Sequence, residues 1–68
     1  MKNWHRVYSS QQSYRTEIVR AVLEDAGFSP VVVNKQDSSY LFGFQEVYVP
    51  PEHVLRAVKM IEDEIDFN

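Results

Sequence analysis

The 68-residue chain reads as an α+β protein, a ferredoxin-like β-α-β-β-α sandwich. Its three-stranded antiparallel or mixed sheet has the order 1-3-2, with both helices on one face. Three observations predict this. Two segments with helical apolar spacing are interleaved with three short β-rich segments. Gly27 and Pro50-Pro51 punctuate them where helices end and begin. Pro30 cannot donate to a ladder, which places the second strand at a sheet edge and leaves the centre to the third.

Trp4 to Tyr8 alternates in the strand manner, with Trp4, Arg6 and Tyr8 on one side and His5 and Val7 on the other. Ser9 with Gln12 three residues on predicts a capping box, and Ser10 is a competing N-cap. The helix that follows runs to about Ala26, on a stripe of Ile18, Val19, Val22, Leu23 and Ala26. Gly27 is the expected residue past its end, because it takes a left-handed conformation without a Cβ penalty. Phe28 to Asn34, short and β-branched, is the second strand. Gln36-Asp37-Ser38-Ser39 is a polar turn segment, and Gly43 closes the loop. Phe44 to Val49 alternates again, Phe44, Glu46 and Tyr48 against Gln45, Val47 and Val49. Pro51 suits the first turn of a second helix, from about Glu52 to Ile65, with Val54, Val58, Ile61 and Ile65 as its stripe and Leu55 widening it. Only Asp66-Phe67-Asn68 follow, so the first strand is expected to keep a free edge where a fourth would pair.

Composition limits what such a chain can be. Its length permits one domain, residues 1–68. A chain of this mass buries about 60% of its unfolded surface, enough for one layer of helix on sheet. It has no cysteine, so neither a disulfide nor a cysteine metal site is available. Hydrophobic residues at 44% and charged residues at 25% fit a globular chain. Seven basic against ten acidic residues give a net charge of −3, the opposite of a phosphate-binding balance. No apolar leader opens the chain and no run is long enough for a membrane span, so a cytoplasmic protein is expected, with neither nucleic acid nor membrane as partner.

Pairing strand one against strand three with Arg6 opposite Glu46 puts Trp4 opposite Tyr48 and Tyr8 opposite Phe44. Each such pair contributes about 0.2–1 kcal/mol. Trp4, Arg6, Tyr8, Phe44, Glu46 and Tyr48 then share the sheet face that no helix covers. An exposed aromatic cluster is usually a partner surface. Homodimerisation or cover by a loop is one reading, and a protein partner or small ligand is another. RNA stacking on the rings is disfavoured, because Arg6 is neutralised by Glu46 and the chain is acidic.

No constellation in the sequence carries catalysis, and none calls for a cofactor. His5 and His53 lack a third residue at a metal-ligand spacing. His53 is expected to be a solvent-exposed helix residue, and His5 to face the helices near the sheet's end. The serines show no nucleophile elbow, and isolated glycines make no phosphate-cradling loop. The segment 34–43 is the least ordinary stretch, longer than a tight hairpin needs. Asn34, Lys35, Asp37, Ser38, Ser39 and Tyr40 could grip a polar ligand or partner, although the turn-formers also explain themselves locally.

Several of these residues carry a family resemblance. They are Trp4 to Ser9, Glu17-Ile18-Val19, Leu23-Glu24, Gly27, Asn34-Lys35, Asp37-Ser38-Ser39-Tyr40, Gly43 and Glu46-Val47-Tyr48-Val49-Pro50. Together they resemble a family of small bacterial domains of unknown function regarded as prokaryotic signal-transducing proteins. The resemblance spans nearly the whole chain. It implies a ferredoxin-like fold akin to the nitrogen-regulatory PII proteins and a regulatory role. It brings no catalytic residue. This chain lacks the long effector loop and Gly-rich nucleotide site of the PII proteins, so their ligands are not carried over. The expected function is therefore a non-enzymatic binding or regulatory module, a homodimer through the strand-one side of the sheet. The alternative is a small-molecule-binding or catalytic domain centred on the 34–43 loop.

Overall fold

The computed structural model describes residues 3–36 and 43–65. The elements are β1 (His5–Ser10), α1 (Ser13–Asp25), β2 (Val31–Gln36), β3 (Gly43–Val49), a 3-10 turn (Pro51–His53) and α2 (Val54–Glu64). The sheet order is β1-β3-β2, and both outer strands run antiparallel to β3. This is the ferredoxin-like α+β arrangement expected from the order of elements.

Strand β3 sits between two neighbours, and its alternation divides the molecule. Val47 and Val49 point into the core and are fully buried. They meet Val19 and Leu23 of α1, Ala57 of α2, and Phe28. Val7, Tyr8, Val32, Val54, Ile61 and Ile65 pack around this centre. With the helices on one side only, the result is a slab of 34 × 32 × 15 Å.

The pairing of β1 differs from the expected register. Arg6 lies opposite Tyr48, not Glu46, and the ladder is interrupted between Arg6 and Tyr8. Beyond the interruption, Tyr8 is opposite Val47 and Ser9 opposite Glu46. A β-bulge inserts one residue, so the two sides of the bulge present opposite parities to the sheet faces. The gain is apolar volume in the core. Strict alternation would offer the helices only His5 and Val7 from this strand. The bulge lets both Val7 and Tyr8 pack against the core.

Helix ends follow local chemistry, with one correction at the start. No Ser9–Gln12 capping box forms, because Ser9 and Ser10 belong to β1. Gln12 takes the N-cap position without a side-chain cap, and Ser10 Oγ accepts the Gln12 N–H at 3.0 Å. At the other end the Gly27 N–H donates to the Glu24 carbonyl and the Phe28 N–H to that of Leu23, each at 3.0 Å. With Gly27 at φ +94°, this is a Schellman closure, and Phe28 packs back on Leu23 within the core. Phe28 therefore ends α1 and does not begin β2, which starts at Val31 just after Pro30.

The apolar stripes are also rotated from those expected. In α1 the buried positions are Thr16, Val19 and Leu23, while Ile18 is 43% exposed. In α2 it is Ala57 that is fully buried, and Leu55 is 86% exposed. Pro51 opens a short 3-10 turn before the α-helix itself begins at Val54.

These placements set unequal sensitivities. Leu23→Ala is expected to lower unfolding free energy by about 2–5 kcal/mol, and Leu55→Ala by less than about 0.5 kcal/mol. A Cβ at Gly27 would meet nothing within 4 Å, so Gly27→Ala is expected to lose about 1–2 kcal/mol through backbone strain alone. Urea titration followed by Trp4 fluorescence measures all three.

Candidate functional site

The residues of β3 that turn away from the core are Phe44, Glu46 and Tyr48. Register places Arg6 and Ser9 of β1, and Val31, Val33 and Lys35 of β2, on this same face. At its centre Glu46 is only 5% exposed. A carboxylate so far out of water must be held by donors. It has one on each oxygen: Arg6 Nη1 donates to Oε2 at 2.7 Å, and the Tyr48 hydroxyl donates to Oε1 at 2.9 Å. The Arg6 side chain remains 57% exposed. The Arg6–Glu46 pair anticipated from sequence is thus formed, but across a diagonal. A long side chain spans that distance when the residue directly opposite is another.

Electrostatics follow from this geometry. The Arg6 hydrogen bond, assisted by that of Tyr48, holds the Glu46 carboxyl below its ordinary value although burial works against it. Lys35 adds a weaker attraction. The same carboxylate raises the Tyr48 hydroxyl, by accepting its proton's hydrogen bond and by charge. Among the described residues, three charged side chains therefore share the open face, two cations and one carboxylate. These three sum to +1, within a chain of net charge −3.

The expected interaction residues divide accordingly. Arg6, Phe44, Glu46 and Tyr48 come together on the open face. Trp4 is half-buried one residue before β1. Tyr8 is the exception, because the bulge turns it to the helix layer. Val31 and Val33 were missed by reading the aromatics alone, and Lys35, expected in the 34–43 loop, joins this face from β2. The alternation of Val31, Val33 and Lys35 was the available signal.

Both ends of the segment 34–43 lie in strands. Asn34 and Lys35 lie within β2, and Gly43 is the first residue of β3 rather than a loop closer. Asn34 Oδ1 accepts the Gln45 side-chain amide at 2.7 Å, across the ladder. Asp37, Ser38, Ser39 and Tyr40 lie outside the described residues. A cleft of about 490 Å³, lined chiefly by Gln11, Ser13, Asn34, Lys35, Phe44 and Gln45, opens at this end of the sheet.

His53 corrects another expectation. It is half-buried and packs on Phe28, ring centres 5.1 Å apart and planes tilted by 54°. Its Nδ1 is buried without a hydrogen-bond partner. The Arg56 guanidinium lies 5.4 Å from the centre of the same Phe28 ring. His5, opposite Val49 at the sheet's end, is exposed. Among the described residues, no group of three or more histidine or acidic side chains could hold a metal ion.

The depressed Glu46 value has a consequence with a definite sign. A carboxyl whose folded value lies below its unfolded one stabilises the fold at pH above the unfolded value. That contribution is lost as pH falls through the folded value. Stability should therefore hold down to about pH 4.5, the ordinary value, and decline below it. Glu46→Gln should flatten this acid limb and lower stability at neutral pH, where Arg6 loses its counter-charge. Urea midpoints from neutral to acid pH test both statements.

No curated protein and no solved structure is significantly similar to this chain. A family match covers residues 4–65, which takes in every described element and the whole open face. The chain belongs to the DUF2007 family, described as "Putative prokaryotic signal transducing protein".

Proposed function

We propose that this chain is a single-domain, non-enzymatic regulatory module of the bacterial cytoplasm. It transmits a signal by binding a protein partner through its open sheet face. The observation that carries this reading is the buried Glu46 on a face without a helix layer. Arg6 and Tyr48 fix the carboxylate, so the two hold a defined shape that a partner can read. Phe44, Val31 and Val33 supply apolar area around it. Aromatic and arginine side chains of this kind carry much of the binding energy in protein interfaces.

The charge on the face selects the partner. With two cations and one carboxylate, it favours a segment that is apolar with an acidic group. Two copies laid face to face would oppose like charges, so the face is assigned to a different protein. Family membership supports a signalling role. None of the described helices is long and apolar enough to cross a membrane.

The polar cleft beside Asn34 and Lys35 supports a second reading, in which a small polar ligand binds at the 34–43 end of the sheet. The two readings separate by experiment. On the first, Phe44→Glu abolishes capture of the partner from source-cell extract, while Ile18→Glu on the outer side of α1 leaves it intact. Circular dichroism verifies that both variants fold. Thermal stabilisation by a metabolite, lost in Asn34→Ala but retained in Val31→Glu, whose side chain lies on the open face outside the cleft lining, would favour the second.

A further inference from the structure

The two outer strands of the sheet are not equivalent edges. β1 is bulged between Arg6 and Tyr8, and a bulge twists an edge away from further pairing. β2 pairs with β3 from Val31 to Gln36 without a break. Its only proline neighbour, Pro30, stands before the strand. Among the described residues no strand pairs with its outer side. That side presents an uninterrupted row of backbone donors and acceptors, hydrated in the single chain, on which another extended segment can pair along its length.

We propose that the occupant is a second copy of this chain, joined through antiparallel β2–β2 pairing about Val33. Directly opposed residues of a ladder share a face. A twofold axis at Val33 sets Val33 against Val33 of the partner subunit, Val32 against Asn34 and Val31 against Lys35. All five residues from 31 to 35 are used, and Pro30 stays outside. No like charges meet, since each Lys35 falls opposite a valine whose surface its methylene stem can cover. Val31, 36% exposed in the single chain, loses that exposure. The axis keeps both helix layers on the same side of one six-stranded sheet. The two open faces then lie side by side, so each dimer presents two copies of the site centred on Glu46. This arrangement does not depend on what the open face binds.

The Val31–Lys35 contact makes the register testable by substitutions of opposite sign. Val31→Glu creates two ion pairs across the axis and Val31→Lys two repulsions, while both residues lie at the outer edge and leave the core untouched. Each cross-strand pair has a modest effect, and with two per dimer the dissociation constant should fall roughly tenfold in Val31→Glu and rise roughly tenfold in Val31→Lys. Added salt should shrink both differences. Sedimentation equilibrium over a dilution series reads the constants, and circular dichroism confirms the fold of each variant. Opposed shifts establish the β2 edge and its register. A parent chain that stays monomeric up to about 1 mM, variants that shift in the same direction, or variants that match the parent would each overturn the proposal. Self-association lost instead on Phe44→Glu, with the Val31 variants unchanged, would assign the dimer to the open face.

Discussion

A single layer of helices covers one side of the sheet, and that one-sidedness governs the rest of the molecule. All apolar side chains that can reach the core must do so from the same face. Val47 and Val49 are fully buried there, and the intervening residues of β3 are thereby committed to the other face. Glu46 is the position at which this commitment becomes expensive, because a central strand has neighbours on both flanks and little water reaches its middle. The Arg6 and Tyr48 donors resolve it. The charged network of the open face is thus the counterpart of the valine core behind it.

The bulge in β1 answers the same constraint from the core side. A domain of 68 residues has few apolar side chains to spare, and β1 has a histidine and an arginine at consecutive positions. Shifting the register by one residue recruits Tyr8 without giving up Val7. Arg6 then faces Tyr48 but keeps Glu46 through its length. An arginine tolerates such an offset where a shorter cation would not.

Much of this architecture was legible in the sequence, and what was not has identifiable causes. Element order, the helix end at Gly27 and the helical turn opening at Pro51 follow from local chemistry, whereas the edge place of β2 cannot rest on Pro30, which stands outside that strand. The Arg6–Glu46 pair was legible as a pair, though not as a diagonal. The bulge was hidden because Trp4 to Tyr8 alternates without fault, and only the need to fill the core argues against taking that alternation literally. Thr16 in the core, Leu55 in water and the Phe28–His53 contact depend on how the helices rotate as they dock. A stripe of apolar residues defines that rotation only within tens of degrees. Phe28 was read as strand because its β propensity is high, yet closing α1 gave it a deeper burial than any place in β2 would have.

The pairing of β1 with β3 also has a topological cost. The β2–β3 hairpin joins residues 36 and 43, whereas the β1–β3 ladder joins residues 5 and 49. The innermost β1–β3 pair, residues 10 and 45, closes a roughly fivefold longer segment, which costs about 1.4 kcal/mol more in chain entropy. β1 is the strand that this entropy favours releasing, and its polar outer residues offer little apolar burial to retain it. The bond from Arg6 to Glu46 therefore acts as a latch across one of the long chain closures of the fold. Release of β1 would in one event unpair one side of the central strand, uncover the Glu46 carboxylate and withdraw Tyr8 from the core. If the open face binds a partner as proposed, interface and fold share one fastening, and a partner that grips Arg6 loads the same contact that helps to keep the first strand in place.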